Sequence, residues 1–313
     1  MNPSYRGVLS LSIFLTSGQI VIGVSKGYYC AGDGEVYEFG KGSGGGKVPV
    51  LNEDFTYTGS CEVISDSSDN NSQYNWRIKF YTSGTLTWLT NDYNIDVFLV
   101  GGGGSGHTQD TSGGGGGGYT TTKKNILISQ NIEYPIVIGN GGRGPSANYQ
   151  AGNAGGDSTA FGYTGIRGSP AVSSTGKGGD GGSGGGARYC DGGSDGSDGG
   201  SMINGAAPQS GGPGQGTTTR EFGENTGDLY SGGGGGYNNA CKGDYTKKLY
   251  IQGDSAPGGG GYGTYNNRNG TQFPGQNGTA NTGGGGGAGW FNGTGCAAGS
   301  GGSGIVIIRN HRE

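Results

Sequence analysis

Proton transfer and nucleophile activation at neutral pH draw first on histidine, and the 313 residues contain only two, His107 and His311. His107 lies in a short polar stretch between glycine runs and reads as a solvent-exposed loop residue; His311 lies near the C-terminus. Neither belongs to a Ser-His-Asp or Cys-His arrangement that the spacing supports. Asp191, Asp195 and Asp198 (DGGSDGSD) offer the oxygen ligands that Ca²⁺ takes. They lack the apolar position of the calcium-binding nonapeptide repeat and read as a solvated turn. Gly139-x-Gly141-x-x-Gly144 fits the letters of a dinucleotide fingerprint, but Pro145 and Ala151-Gly152-Asn153-Ala154-Gly155 stand where its helix should begin. No pair of carboxylates can be placed on the sheet for glycoside hydrolysis. The expectation is a protein that is not an enzyme, with no catalytic residue, no cofactor and no metal.

Binding chemistry is better supplied. Three segments between glycine runs are aromatic and amide-rich: Tyr237-Asn238-Asn239, then Tyr262 to Asn269 with Tyr265, Asn266 and Asn267, and Trp290-Phe291-Asn292. Tyrosine brings a large rigid surface at low entropy cost, and Asn and Gly add adaptable hydrogen bonds, the composition of antibody loops. Tyr and Trp also lead among interface hot spots. Tyr237, Asn238, Asn239, Tyr262, Tyr265, Asn266, Asn267, Trp290 and Phe291 are therefore the candidate receptor-binding residues. The competing reading is that these aromatics cap the open ends of a glycine lattice. Phe222 and Tyr230 read as packing residues.

The elements that must carry those segments are unusual. Glycine supplies 81 residues, in pure runs at 101–104, 113–118, 232–236, 258–261 and 283–287. Glycine loses more backbone freedom on folding than any other residue. So many imply either disorder or backbones packed closer than any side chain allows. Apolar residues are 29%, charged residues 13%, aromatics 10% including 19 tyrosines, and the net charge is −4. That composition lacks the high net charge of ordinary disorder and the basic patch that nucleic acid requires. It suits neutral polar partners such as glycans or protein loops. No apolar stretch reaches the ~20 residues of a membrane helix. Val8–Val24 reads as a pair of strands, with a cleaved signal peptide as the second reading because polar residues interrupt its apolar core. Five cysteines without a C-x-x-C read as scattered reduced thiols, which fits synthesis in a cytoplasm.

Strand candidates rich in Ile, Val, Thr and aromatics fall at 55–64, 76–80, 85–89, 95–100, 119–129 and 134–138, with Ser83-Gly84 and Asn131-Ile132-Glu133 as hairpin turns. Tyr28 to Gly46 reads as a loop. One more apolar strand, Gly304 to Arg309, follows 160 residues without a core and needs a partner; 95–100 matches it best. Collagen is excluded because the glycine spacing is not a strict triplet and only 9 prolines are present. The expected fold is mainly β: an antiparallel β-sandwich with a large glycine-rich insertion forming a bundle of polyglycine II helices. Three regions follow: an N-terminal β or attachment segment at 1–50, a sandwich at 51–139 plus 304–310, and a glycine bundle at 140–303 with displayed loops.

The chain resembles glycine-rich proteins of bacteriophage tails and related phage-encoded proteins of gut bacteria. The resemblance covers roughly 52–310. It is carried by Ile95-Asp96-Val97-Phe98-Leu99-Val100 running into Gly101–Gly104, by Gly113–Tyr119-Thr120, by Tyr134-Pro135-Ile136-Val137-Ile138-Gly139, by Gly214 to Glu224 and Leu229-Tyr230-Ser231, and by the closing Gly301 to Arg309. It is similar in architecture to the glycine-rich extracellular domain of anaplastic lymphoma kinase-type receptors, a polyglycine bundle set within a β-sandwich. The resemblance to tail-fibre tip adhesins implies a virion structural protein, in the tail fibre, tail tip or as a head decoration, that attaches to the host cell surface. Its implied partners are a protein or glycan receptor and other virion proteins, on an oligomeric mount and in the virion. The alternative is a bacterial or prophage-encoded surface scaffold without its own receptor, placed extracellularly.

Overall fold

The computed structural model describes residues 7–16, 19–30, 36–39, 48–66, 75–108, 112–146, 150–172, 176–187, 219–237, 258–266, 272–290 and 296–312. The chain divides into two compact units, Met1–Gly46 and Lys47–Glu313. The first is a three-stranded antiparallel sheet. β1 (Gly7–Thr16) pairs with β2 (Gln19–Cys30), and β3 (Val36–Phe39) adds to the other edge of β2. The loop expected over Tyr28 to Gly46 is thus partly strand, because Val36–Phe39 alternates too briefly to register by pattern yet finds a paired edge.

The second unit is built on two antiparallel sheets. β4 (Phe55–Tyr57), β5 (Cys61–Ser65), β6 (Trp76–Phe80), β7 (Gly84–Trp88), β8 (Tyr93–Val100), β9 (Thr120–Ile128) and β10 (Glu133–Ile136) come first. The short β11 (Ser158–Ala160) and β12 (Tyr163–Gly165), then β13 (Tyr265–Asn266) and β14 (Gln272–Phe273), form two hairpins, and β15 (Ile305–Asn310) closes the chain. One sheet has the order β5-β6-β15-β8-β9 and the other β10-β7-β4. Their facing sides share one core: Phe55, Leu86, Trp88 and Ile136 from the smaller sheet meet Trp76, Ile78, Phe80, Ile95, Val97, Leu99, Val306 and Ile308 from the larger. This sandwich-like arrangement is the expected one. β15 also finds its expected neighbour, pairing with β8 from Ile305↔Val100 to Asn310↔Ile95. Both strands are buried on both faces, which is why they read as continuous apolar runs.

Two expected hairpins are not hairpins. Ser83-Gly84 joins β6 to β7, and Asn131 to Glu133 joins β9 to β10, and each connection passes from one sheet to the other. Local alternation marks a reversal of the chain, but strand partners lie far away in sequence, and the apolar faces decide which sheet receives the strand.

The glycine segments run between these strands and a far end. Each backbone N–H donates to a different neighbour, and the neighbours recur every third residue. Gly102 donates to Gly156 O (2.9 Å), Gly103 to Gly302 O (2.9 Å) and Gly104 to Gly116 O (2.8 Å). Then Ser105 returns to Asn153 O, Gly106 to Gly299 O and His107 to Gly113 O. Gly115, Gly116 and Gly117 do the same with Gly286, Ser169 and Ser183. Glycine segments before residue 140, at 101–107 and 113–118, therefore pack in the same lattice as described segments after it, such as 153–156, 283–287 and 299–302. The glycine requirement is steric: a Cβ on Gly103 would lie against the carbonyl oxygen of Gly284, and one on Gly141 against that of Gly301, closer than any real Cβ approaches an atom. The fingerprint-like Gly139, Gly141 and Gly144 are spent on this contact.

Gly103→Ala or Gly141→Ala is expected to lower unfolding free energy by about 2 kcal/mol or more, the scale of core overpacking. Gly162→Ala, with nothing within 4 Å of its would-be Cβ, should cost only about 1 kcal/mol through its positive φ. Urea unfolding of the three variants checks the difference.

Candidate functional site

Val100 leads from β8 into Gly101, and Gly304 leads into β15, so that end of the lattice abuts the sandwich. Following the hydrogen bonds outward, His107, Ser112, Tyr237, Thr264, Ala288 and Gly289 come together at the opposite end: Tyr237 N donates to Ser112 O, Thr264 N to Ala288 O and Gly289 N to His107 O. Tyr237, Tyr265 and Trp290, one from each candidate segment, are at or next to these residues in the chain. Asn238, Asn239, Asn267 and Phe291 lie outside the described residues. Tyr262 is half-buried, with its carbonyl accepting from Gln276 N. Tyr265 and Asn266 form β13, paired with β14.

Tyr237 is 0% exposed and stacks on Trp290, with ring centroids 5.6 Å apart and planes 14° apart. Trp290 is half-buried and bridges to Cys296 through both backbone hydrogen bonds. This pair closes the lattice end: Tyr237 lies inside, and Trp290 presents the accessible surface. His107, expected in solvent, is also 0% exposed, and neither ring nitrogen has a hydrogen-bond partner. Burial lowers its pKa below the ordinary histidine value. Its backbone is bonded to two neighbouring segments, through Gly113 O and Gly289 N, contacts of which the sequence spacing carries no trace.

A second cluster sits on the outer face of the five-stranded sheet, where Phe98, Val100, Ile305 and Ile307 would otherwise be bare. The segment 219–231 straps across them. Phe222 and Tyr230 are each 5% exposed and pack on Phe98 at 5.8 and 5.4 Å between ring centroids. Both were expected as packing residues. Phe222 is held at φ 54°, ψ 15° within a single 3₁₀ turn, Glu221–Gly223, and the Arg309 guanidinium lies 4.1 Å from its ring centroid.

Charge fastens the strap. Glu221, 2% exposed, receives Arg77 Nη1 at 2.5 Å and Lys79 Nζ at 3.3 Å, and Glu224 receives Arg309 Nη1 at 2.5 Å. Tyr230 Oη donates to Glu221 Oε2 at 3.1 Å, and burial with the neighbouring Glu221 charge raises its pKa well above the usual phenol range. Asp96, fully buried on β8, accepts from Arg309 Nε at 3.1 Å and from Asn125 N at 3.1 Å, and lies 2.7 Å from His311 Nδ1. A β-bulge beside Asp96 and the positive φ of Asn125 aim that N–H at it. Desolvation opposes the Asp96 charge, yet the bonds from His311, Asn125 and Arg309 outweigh it and lower its pKa. Carboxylates that the sequence did not place together on the sheet thus gather from β8, the strap and the β5–β6 connection, each held by a cation. No group of three or more His, Cys, Asp or Glu suited to a metal occurs among the described residues. Burial raises the thiol pKa of Cys61 and of Cys296.

The pH dependence has a definite sign. The folded pKa of His107 lies below its unfolded value, and so does that of Asp96, so in both ranges the unfolded chain binds the extra proton first. Stability therefore falls as pH drops, initially through the free histidine range near about 6.5 and again below the free carboxylate value near about 3.9. His107→Phe should flatten the first limb. Asp96→Asn should flatten the second and cost about 3 kcal/mol at neutral pH by leaving Arg309 buried with less charge compensation. Urea midpoints across a pH series test both.

Against known families, a model described as a glycine-rich domain matches residues 81–311, which takes in the sheet from β7 onward, the lattice, the strap and the closing strand. Among curated proteins none matches the chain.

Proposed function

The chain belongs to the glycine-rich domain family, and from that premise we propose that it is a non-enzymatic display protein of a virion, in the tail fibre or tail tip or as a head decoration, that attaches the particle to a host cell surface. In this reading the three-residue recurrence of hydrogen-bond partners reflects polyglycine II rods, helices with three residues per turn and no internal hydrogen bonds. Their packing makes a rigid pedestal based on the sandwich, and the candidate aromatic residues meet the receptor. The single observation that carries the proposal is the Tyr237–Trp290 stack at the lattice end remote from the sandwich, where the backbone also brings in Thr264, next to Tyr265. A rigid support spares the binding segments the ordering entropy that weakens flexible loops.

Purified protein is expected to bind cells of a susceptible host, and mass spectrometry of purified virions is expected to find the chain. Trp290→Ala combined with Tyr265→Ala should lower adsorption by about tenfold or more, the effect of losing hot-spot aromatics, measured at a temperature where the variant is still fully folded. Unchanged adsorption would assign both residues to packing, and absence of the chain from virions would sink the reading.

One observation favours a second reading, a bacterial or prophage-encoded surface scaffold without its own receptor: Tyr237 is fully withdrawn and used as a cap. N-terminal sequencing of the native protein separates the two, since cleavage within residues 1–24 supports export and the scaffold.

A further inference from the structure

Where the strap turns beside the C-terminal strand, a cavity of about 260 Å³ opens against the outer face of the five-stranded sheet. Three guanidiniums line it, from Arg77, Arg309 and Arg312, with three carboxylates, from Asp66, Glu221 and Glu224. The charges balance, but the hydrogen bonds do not. Asp66 uses both oxygens, one on Arg77 Nε at 2.9 Å and the other on Arg312 Nη2 at 2.5 Å. Glu221 also uses both, Oε1 on Arg77 and Oε2 on Lys79 and Tyr230. Glu224 is the exception: it engages Arg309 through Oε1 and is about half exposed, at 47%. A guanidinium carries five N–H donors, and the Nε of Arg312 is buried with no hydrogen-bond partner. The cavity therefore has donors to spare, one carboxylate that engages its arginine through a single oxygen, and no net charge among its lining groups.

That balance selects a chemistry. An anion would find donors but would sit among three carboxylates with no net positive field to hold it. A cation would meet carboxylates already engaged by arginine. A neutral molecule with several hydroxyls suits both sides, because each hydroxyl accepts from a guanidinium and donates to Glu224 or to the Thr226 hydroxyl on the rim. The lining is also preformed: Arg309 is fixed by Asp96, Glu224 and the Phe222 ring, and Arg77 by Asp66 and Glu221, so a ligand orders little on binding. At this volume the cavity takes one sugar ring or the end of a glycan chain.

We infer that the cavity bounded by Arg77, Glu221, Glu224, Arg309 and Arg312 is a binding site for a neutral saccharide. The inference rests on the surface-attachment reading only for the source of the sugar; the site stands apart from the aromatics at the far end of the lattice.

The test uses the full-length protein with methyl pyranosides of glucose, galactose, mannose and N-acetylglucosamine, alongside glucuronate and inorganic phosphate. Saturation-transfer NMR reads binding, and amide exchange reads protection of residues 219–228. At least one neutral pyranoside is expected to bind in the millimolar range and to protect that segment. Glu224→Gln and Arg312→Met should each weaken it at least tenfold, while Arg167→Met, at the exposed Asp157 pair, should leave it unchanged. Should a variant fail to fold, protection of 219–228 in the unaltered protein decides the matter. Binding of glucuronate or phosphate alone, no neutral binder in the panel, or binding that survives both substitutions would overturn the inference. Cell attachment that persists when every pyranoside fails would remove the saccharide site and leave the attachment reading intact; a bound pyranoside without cell attachment would do the reverse.

Discussion

Every buried peptide group must find a hydrogen-bond partner, and much of the described chain meets that demand outside strands, with no α-helix among the described residues. Gly102 through His107 each donate to a neighbouring segment, with partners recurring every third residue. The arrangement works only where backbones touch, so a Cβ is excluded at Gly103 or Gly141. The apolar fraction of 29% becomes intelligible on that basis. A lattice held by peptide hydrogen bonds buries little apolar area, so the hydrophobic effect acts chiefly in the sandwich.

The sandwich in turn sets the lattice going in register. β8 delivers Gly101 and β15 receives Gly304, and their pairing holds the first and last glycine segments side by side. Both strands are buried twice over, by the smaller sheet on one side and by the strap on the other. The strap arises from within the glycine region, yet it is anchored by Phe222, Tyr230 and a set of ion pairs to β6 and β15. Lattice and sandwich are thereby tied at two places, the strand ends and the outer face.

Polar groups are handled differently at the two ends. Around Asp96 and Arg309 nearly every buried charge has partners, and the pKa of Asp96 falls despite desolvation. At the far end His107 is buried with both ring nitrogens unpartnered, and Tyr237 and Trp290 stack to close the structure. Such an orphaned group costs free energy, which makes the far end the weaker part of the lattice in acid.

Much was legible in the residues themselves. Glycine runs exclude ordinary cores, the apolar runs at 95–100 and 305–308 announce strands buried on both faces, and the isolated closing strand requires a distant partner. Those features depend on composition and short-range pattern, which a chain carries locally. The destination of β7 and β10 in a second sheet, the burial of His107 and the gathering of Asp66, Glu221, Glu224 and three arginines around one cavity did not show. Each depends on contacts between residues far apart: Arg77 meets Glu221 across 144 positions and Arg309 meets Asp96 across 213. Local pattern marked the longer strands and the glycine runs, but not β3 or the short hairpins β11–β12 and β13–β14; only the folded chain, by bringing charges and peptide groups distant in sequence together, decided which side chains share a site.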